Sequence, residues 1–299
     1  MTWITKVIFL FMSIASVVYA DAKCPNIPAI TGQCIQVGHY QLFASVQGTQ
    51  GPVVVFDAGR GDTHVTWNKV ISGVSQFAKT VTYDRVNLGY SQNALNVDAP
   101  VTAKQVAENL HVLLHTAKLP PPYILVGHSA GGLYVQMFAR LYPKEVSGIV
   151  FVDSANTEQI FGNGLPLPEK NNPVYGEALG FIESLQQVKN APHFPKVPII
   201  VLTATRHGHH PDLSSKYPVV LNNGKTAFLT GTEIENLLAQ WQDHLSKLSP
   251  DSIHVYAYGS GHHIQEDQPN LVIDAIYTLT KKLRSDRQTS AYKVLVKKA

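Results

Sequence analysis

The chain has 299 residues, with 24 Lys and Arg against 21 Asp and Glu for a formal charge of +3, 44% hydrophobic and 15% charged residues. That balance excludes a disordered polyelectrolyte, and 21 Gly with 18 Pro exclude collagen-like or Pro-rich low complexity. A charge this small leaves no electrostatic footprint for nucleic acid, and the length suits one large domain with an enzyme-sized core.

Met1–Ala20 carries one cation, Lys6, ahead of an apolar run that ends Val18-Tyr19-Ala20 before Asp21. Small residues at those closing positions predict an export signal cut after Ala20. The run falls short of the roughly 20 apolar residues of a spanning helix, so no stable membrane span is expected and the mature chain is periplasmic or secreted. Cys24 and Cys34 are the only cysteines, and outside a reducing compartment they predict one disulfide near the mature N-terminus.

Tyr40–Gln47 alternates loosely, as an edge strand does. Pro52-Val53-Val54-Val55-Phe56 is a continuous β-branched run suited to a strand buried on both faces. Runs of the same kind recur at Thr80–Tyr83, Tyr123–Val126, Gly148–Val152, Pro198–Leu202 and Ile253–Tyr258. Between them, apolar residues at helical spacing predict helices over Val65–Phe77, Ala103–Ala117, Leu133–Leu141, Glu233–Leu248 and Leu271–Leu283. Strand–helix alternation predicts an α/β fold with a mostly parallel open sheet and helices on both faces. Residues 155–196 break the rhythm with Gly, Pro and Asn clusters, and read as a small cap inserted into a single domain spanning 21–299. The basic tail after Arg284 reads as a frayed, solvated end.

The sharpest signal is Gly127-His128-Ser129-Ala130-Gly131-Gly132, with the buried run Tyr123–Val126 before it and an amphipathic helix after it. A serine at such a strand-to-helix turn is strained, with its hydroxyl projecting above the sheet edge. The residues two before and two after it must be small, because a Cβ there would collide with the turn. The helix that follows points its N-terminus at the serine, where free N–H groups favour developing negative charge. Ser129 is therefore the expected nucleophile.

Three further stretches join this one: Asp57-Ala58-Gly59-Arg60-Gly61 after the third strand, Tyr83-Asp84-Arg85 with Gly89-Tyr90-Ser91 after the fourth, and Gly259-Ser260-Gly261-His262-His263-Ile264 near the C-terminus. In order and spacing the chain resembles the α/β-hydrolase superfamily over nearly its whole mature length, although the third-strand loop lacks the His-Gly form many members carry. The resemblance implies His262 as general base, with His263 the rival, and an oxyanion hole from the backbone N–H groups of Arg60 and Ala130. The Arg60 side chain itself reads as solvated. Asp84 reads as structural, paired with Arg85 or with neighbouring N–H groups.

The acid stays open between two positions. The usual one in the superfamily, after the strand that follows the cap, reads Val201-Leu202-Thr203-Ala204-Thr205-Arg206-His207, with no carboxylate before Asp212. Asp153 closes the strand next to the nucleophile's own, a position some members use, and it is preferred here. His207-Gly208-His209-His210-Pro211-Asp212 could suggest zinc, but it lacks an H-E-x-x-H helix and a second ligand segment, so neither metal nor cofactor is expected. These readings converge on an exported serine hydrolase acting through an acyl-enzyme on a small or medium-sized carboxylic ester. An acyltransferase on the same residues and a non-catalytic hydrolase-like binding protein are the alternatives.

Overall fold

The computed structural model of the chain describes residues 32–94, 96–157, 167–206, 214–220 and 226–298. The expected signal segment 1–20, Cys24 and the loop 207–212 lie outside these residues. No helix among those described is long and apolar enough to cross a membrane.

A hairpin comes first: β1 (Gln33–Val37) and β2 (Tyr40–Gln47) pair antiparallel around Gly38, whose φ of +57° suits the reversal. The sheet continues through β3 (Val53–Asp57), β4 (Lys79–Tyr83), β5 (Tyr123–His128), β6 (Val146–Val152) and β7 (Ile199–Ala204). A separate antiparallel pair, β8 (Lys216–Val220) and β9 (Thr226–Thr230), precedes the last strand, β10 (Ser252–Ala257). The eight strands of the main sheet lie in the order β1-β2-β4-β3-β5-β6-β7-β10, parallel from β4 onward. Tyr40–Gln47 is thus not an edge strand: β2 is paired on both sides and β1, which carries Cys34, forms the edge. Cys34 is not free, while its expected partner Cys24 falls outside the described residues.

The unbroken apolar strands are explained by two cores. Along β3, Val53 and Val55 face one core while Val54 and Phe56 face the other, and β5, β6 and β7 alternate in the same way. The first core is covered by α2 (Ala103–Thr116), α3 (Gly131–Leu141) and α4 (Tyr175–Asn190), the second by α1 (Asn68–Val74) and α7 (Pro269–Lys298). Two more helices are α5 (Gly231–Ser246), which packs on β7 and β10, and the single turn α6 (Ile264–Asp267), which packs against α1 and α7.

Several boundaries differ from expectation for local reasons. The helix expected over Val65–Phe77 is split into a 3-10 turn at His64–Trp67 and α1, after which residues 75–78 fold back to feed β4. The helix expected from Glu233 begins at Gly231, because Thr230 and Glu233 close a capping box. The tail after Arg284 continues α7 to Lys298 rather than fraying; it contains no Gly or Pro to stop a helix. The stretch 155–196 holds α4, whose Phe181, Leu185 and Val188 join the first core while Leu167 and Leu179 are exposed. Inward-facing Glu177 and Ser184 interrupt the apolar spacing of α4, and Ser184 Oγ accepts the first N–H of α2 at 2.9 Å.

Candidate active site

The parallel strands end together, and the sequence motifs are the turns that follow them. His128 pairs with Val152 and Val152 with Leu202, so Ser129 and Asp153 emerge one residue beyond paired positions on neighbouring strands. Ser129 N–H donates to the Val152 carbonyl at 3.3 Å, and Asp153 N–H to the Leu202 carbonyl at 2.8 Å. Both residues sit at positive φ, +51° for Ser129 and +42° for Asp153, a region that disfavours side chains with a Cβ and marks stored strain.

The serine turn is packed so closely that glycine is required around it. A Cβ on Gly127 would lie 2.8 Å from the Gly131 carbonyl oxygen, and one on Gly131 would drive into the Asp57 carbonyl of β3. Ser129 is half-buried, and Ala130 begins the approach to α3. Among the described residues, no hydrogen bond takes up the N–H of Ala130 or of Arg60.

His262 arrives after Gly259 (φ +78°) on a turn braced where Gly261 N–H donates to Asp267 Oδ2 at 2.8 Å. Its Nδ1 lies 2.6 Å from Asp153 Oδ2, while Asp153 Oδ1 accepts the Ala204 N–H at 3.0 Å. Where a carboxylate was sought after β7, that strand supplies a backbone donor to Asp153 instead. Asp153 is buried and the His262 side chain is 36% exposed, so the imidazole has one side gripped and one side open. His263 turns elsewhere, its Nε2 3.8 Å from Asp62 Oδ2. Asp212 lies outside the described residues.

The loop after β3 is held from beneath by Arg85, a residue whose main partners the sequence did not reveal. Arg85 Nη1 donates to Asp57 Oδ1 and the Ala58 carbonyl, both at 2.9 Å, and Nη2 to the Gly59 carbonyl at 2.6 Å. Its Nε meets Glu177 Oε1 of α4 at 2.5 Å, and the other Glu177 oxygen accepts the Gly61 N–H at 2.8 Å. Tyr83 O–H donates to the second Asp57 oxygen at 2.7 Å. Burial opposes the Arg85 charge, but Glu177 and Asp57 outweigh it and hold the guanidinium protonated. Two buried carboxylates share that one cation, and burial pushes Asp57 up to about 6 despite the pull of Arg85. The only hint in the sequence was Glu177 set between small and apolar residues in Gly-Glu-Ala-Leu-Gly-Phe.

Asp84 does not pair with Arg85; it accepts from His64 N–H at 2.7 Å and Tyr90 N–H at 2.9 Å. The Arg60 side chain is not fully solvated, since its Nη1 is buried, with no hydrogen-bond partner among the described residues. His128, beside the serine, is 1% exposed, and burial lowers its pKa. Burial tends to raise the nearby Asp62 carboxyl, but His128 and His263 outweigh it and hold it below the usual range.

The model of the family described as the alpha/beta hydrolase fold matches residues 52–246. The chain belongs to the alpha/beta-hydrolase family. Uncharacterized protein YqjL of Bacillus subtilis (strain 168) is 27% identical over 239 residues, covering 77% of this chain and 84% of that protein. An AB hydrolase superfamily protein of Gibberella zeae is 25% identical over 300 residues, covering 82% of this chain and 92% of its own length. Among solved structures, a thermophilic esterase from Thermogutta terrifontis superposes with a TM-score of 0.62 at 16% identity, over 85% of this alpha/beta hydrolase and 99% of that chain. A likeness at that identity speaks to the fold.

Proposed function

We infer that this alpha/beta hydrolase is an exported serine esterase working through an acyl-enzyme. The observation that carries the reading is the 2.6 Å contact of His262 Nδ1 with the buried Asp153 carboxylate, at the sheet edge where the strained Ser129 turn also lies. A carboxylate on Nδ1 fixes the tautomer whose Nε2 lone pair can accept a proton, and it stabilises the imidazolium that results. Ser129 Oγ attacks the ester carbonyl as His262 takes its proton. The negative charge that gathers on the carbonyl oxygen is met by the uncommitted N–H groups of Arg60 and Ala130. Imidazolium returns the proton to the departing alkoxide, and water, deprotonated in turn by His262, cleaves the acyl-enzyme.

An ester suits this machinery because an alkoxide leaves more readily than an amine. The test is a fluorophosphonate probe together with a panel of esters of graded acyl length. Labelling at Ser129, its loss in Ser129→Ala and turnover of at least one ester support the reading. A folded protein that neither reacts nor turns over ester is a binding protein, and acyl transfer to an added alcohol in preference to water makes it an acyltransferase. Export is tested by N-terminal sequencing of the chain recovered outside the cytoplasm, with Asp21 the expected first residue.

A further inference from the structure

Beside the serine and the histidine a second cluster forms from Asp62 in the loop after β3, His128 at the end of β5, and His263. Asp62 Oδ2 lies 3.6 Å from His128 Nδ1 and 3.8 Å from His263 Nε2, and the three donor atoms all fall within 4.8 Å of one another. Ligands about 2.0–2.2 Å from a tetrahedral zinc ion stand ~3.4 Å apart, so small side-chain adjustments would close this set around one ion.

The hydrogen bonding of His128 decides what fits between these atoms. Its Nε2 lies 3.1 Å from the His262 carbonyl oxygen, which can only accept, so Nε2 carries the proton of the neutral ring. Nδ1 is then a lone pair, buried with no hydrogen-bond partner among the described residues and facing a carboxylate that is 31% exposed. Two acceptors 3.6 Å apart repel unless a proton, a cation or a water lies between them. An imidazole that gives its other N–H to a backbone carbonyl is also oriented as metal-binding histidines are. Gly59 keeps the space open: a Cβ there would stand 2.7 Å from Asp62 Oδ2 and 2.9 Å from His128 Nδ1.

We propose that Asp62, His128 and His263 bind one divalent transition-metal ion of the zinc class, with water completing its shell. Two imidazole nitrogens and one carboxylate oxygen are a donor set that zinc accepts and that magnesium and calcium do not favour. The ion clasps the loop after β3, the nucleophile turn and the histidine loop to one another. It takes no part in the proton transfers of the ester reaction.

The full chain, stripped with a chelator, is titrated with Zn2+ by calorimetry and with Co2+ by visible absorption, and melted with and without Zn2+. The expected result is one equivalent bound, tetrahedral Co2+ bands displaced by Zn2+, and a higher Tm with zinc. Asp62→Asn and His263→Gln should each weaken binding by at least about tenfold. The His263 side chain is 46% exposed, so its replacement leaves the fold intact, as circular dichroism will show. A second cluster on α2, where His111 and His115 Nε2 each lie 3.1 Å from a Glu145 oxygen, is the control. His115→Gln should retain the one-equivalent binding. A silent titration, as a bridging water would give, overturns the proposal. So does binding that survives both Asp62→Asn and His263→Gln.

Discussion

Asp153 holds its carboxylate between two donors, the His262 ring at 2.6 Å and the Ala204 N–H at 3.0 Å. Replacing it with asparagine preserves the shape but removes the charge and allows the wrong imidazole tautomer. We expect Asp153→Asn to lower kcat by about 10⁴-fold with little change in KM, and Asp212→Asn to leave kcat near wild type. Steady-state kinetics of the two purified variants on one ester decide between them. A fall confined to Asp212→Asn would reject Asp153 as the acid. Ser129 was legible in the sequence because its turn makes a steric demand on its neighbours, and that demand is visible as glycines. The choice between the two acids was not legible: it depends on where His262 lands, and a loop from the far end of the chain sets that. The tightness of the serine turn is testable too. Gly131→Ala puts a methyl against the β3 backbone, which cannot retreat, and should destabilise the fold by about 1–3 kcal/mol in urea unfolding.

Between elements, the decisive contact is the buried trio of Asp57 on β3, Arg85 after β4 and Glu177 on α4. It ties the loop that carries Arg60 to both a strand and a covering helix, so the position of that loop depends on an ion pair formed across 92 residues. Removing the Glu177 charge leaves Arg85 paired with Asp57 but takes away its Nε contact and weakens the brace on the Gly61 N–H. Glu177→Gln should therefore cost about 1–3 kcal/mol in chemical denaturation, and activity in the surviving folded fraction should fall as the loop loosens. A variant as stable as wild type would show the pair to be dispensable. The central strands were readable because both their faces are apolar, and the helices on them because their spacing is regular. Where polar residues turn inward the pattern fails. Glu177 and Ser184 hide α4 in a stretch that reads as irregular, and β1 alternates over too few residues to stand out, which made β2 look like the edge.

At the scale of the whole molecule, stability should respond to pH through the same trio. Arg85 neutralises only one of its two carboxylates, and burial raises Asp57 to about 6 against an ordinary value of 3.8. Because the folded value exceeds the unfolded one, the native state binds the extra proton between these limits. The contribution is complete below the ordinary value and is lost as pH rises through about 6, an effect of up to about 3 kcal/mol. Asparagine at this position has no proton to lose. Asp57→Asn gives up an ionic partner of Arg85 and starts from a lower stability, but it should gain on the wild type as pH rises from 4 to 7. Buried His128 and half-buried His254, whose pKa values burial lowers, work in the other direction, since the unfolded chain takes up their protons first as pH falls below their usual range. They are common to both proteins and cancel in the difference. Urea unfolding of the pair across that range isolates the Asp57 contribution, and a constant gap would show that its carboxyl titrates alike in the folded and unfolded chains.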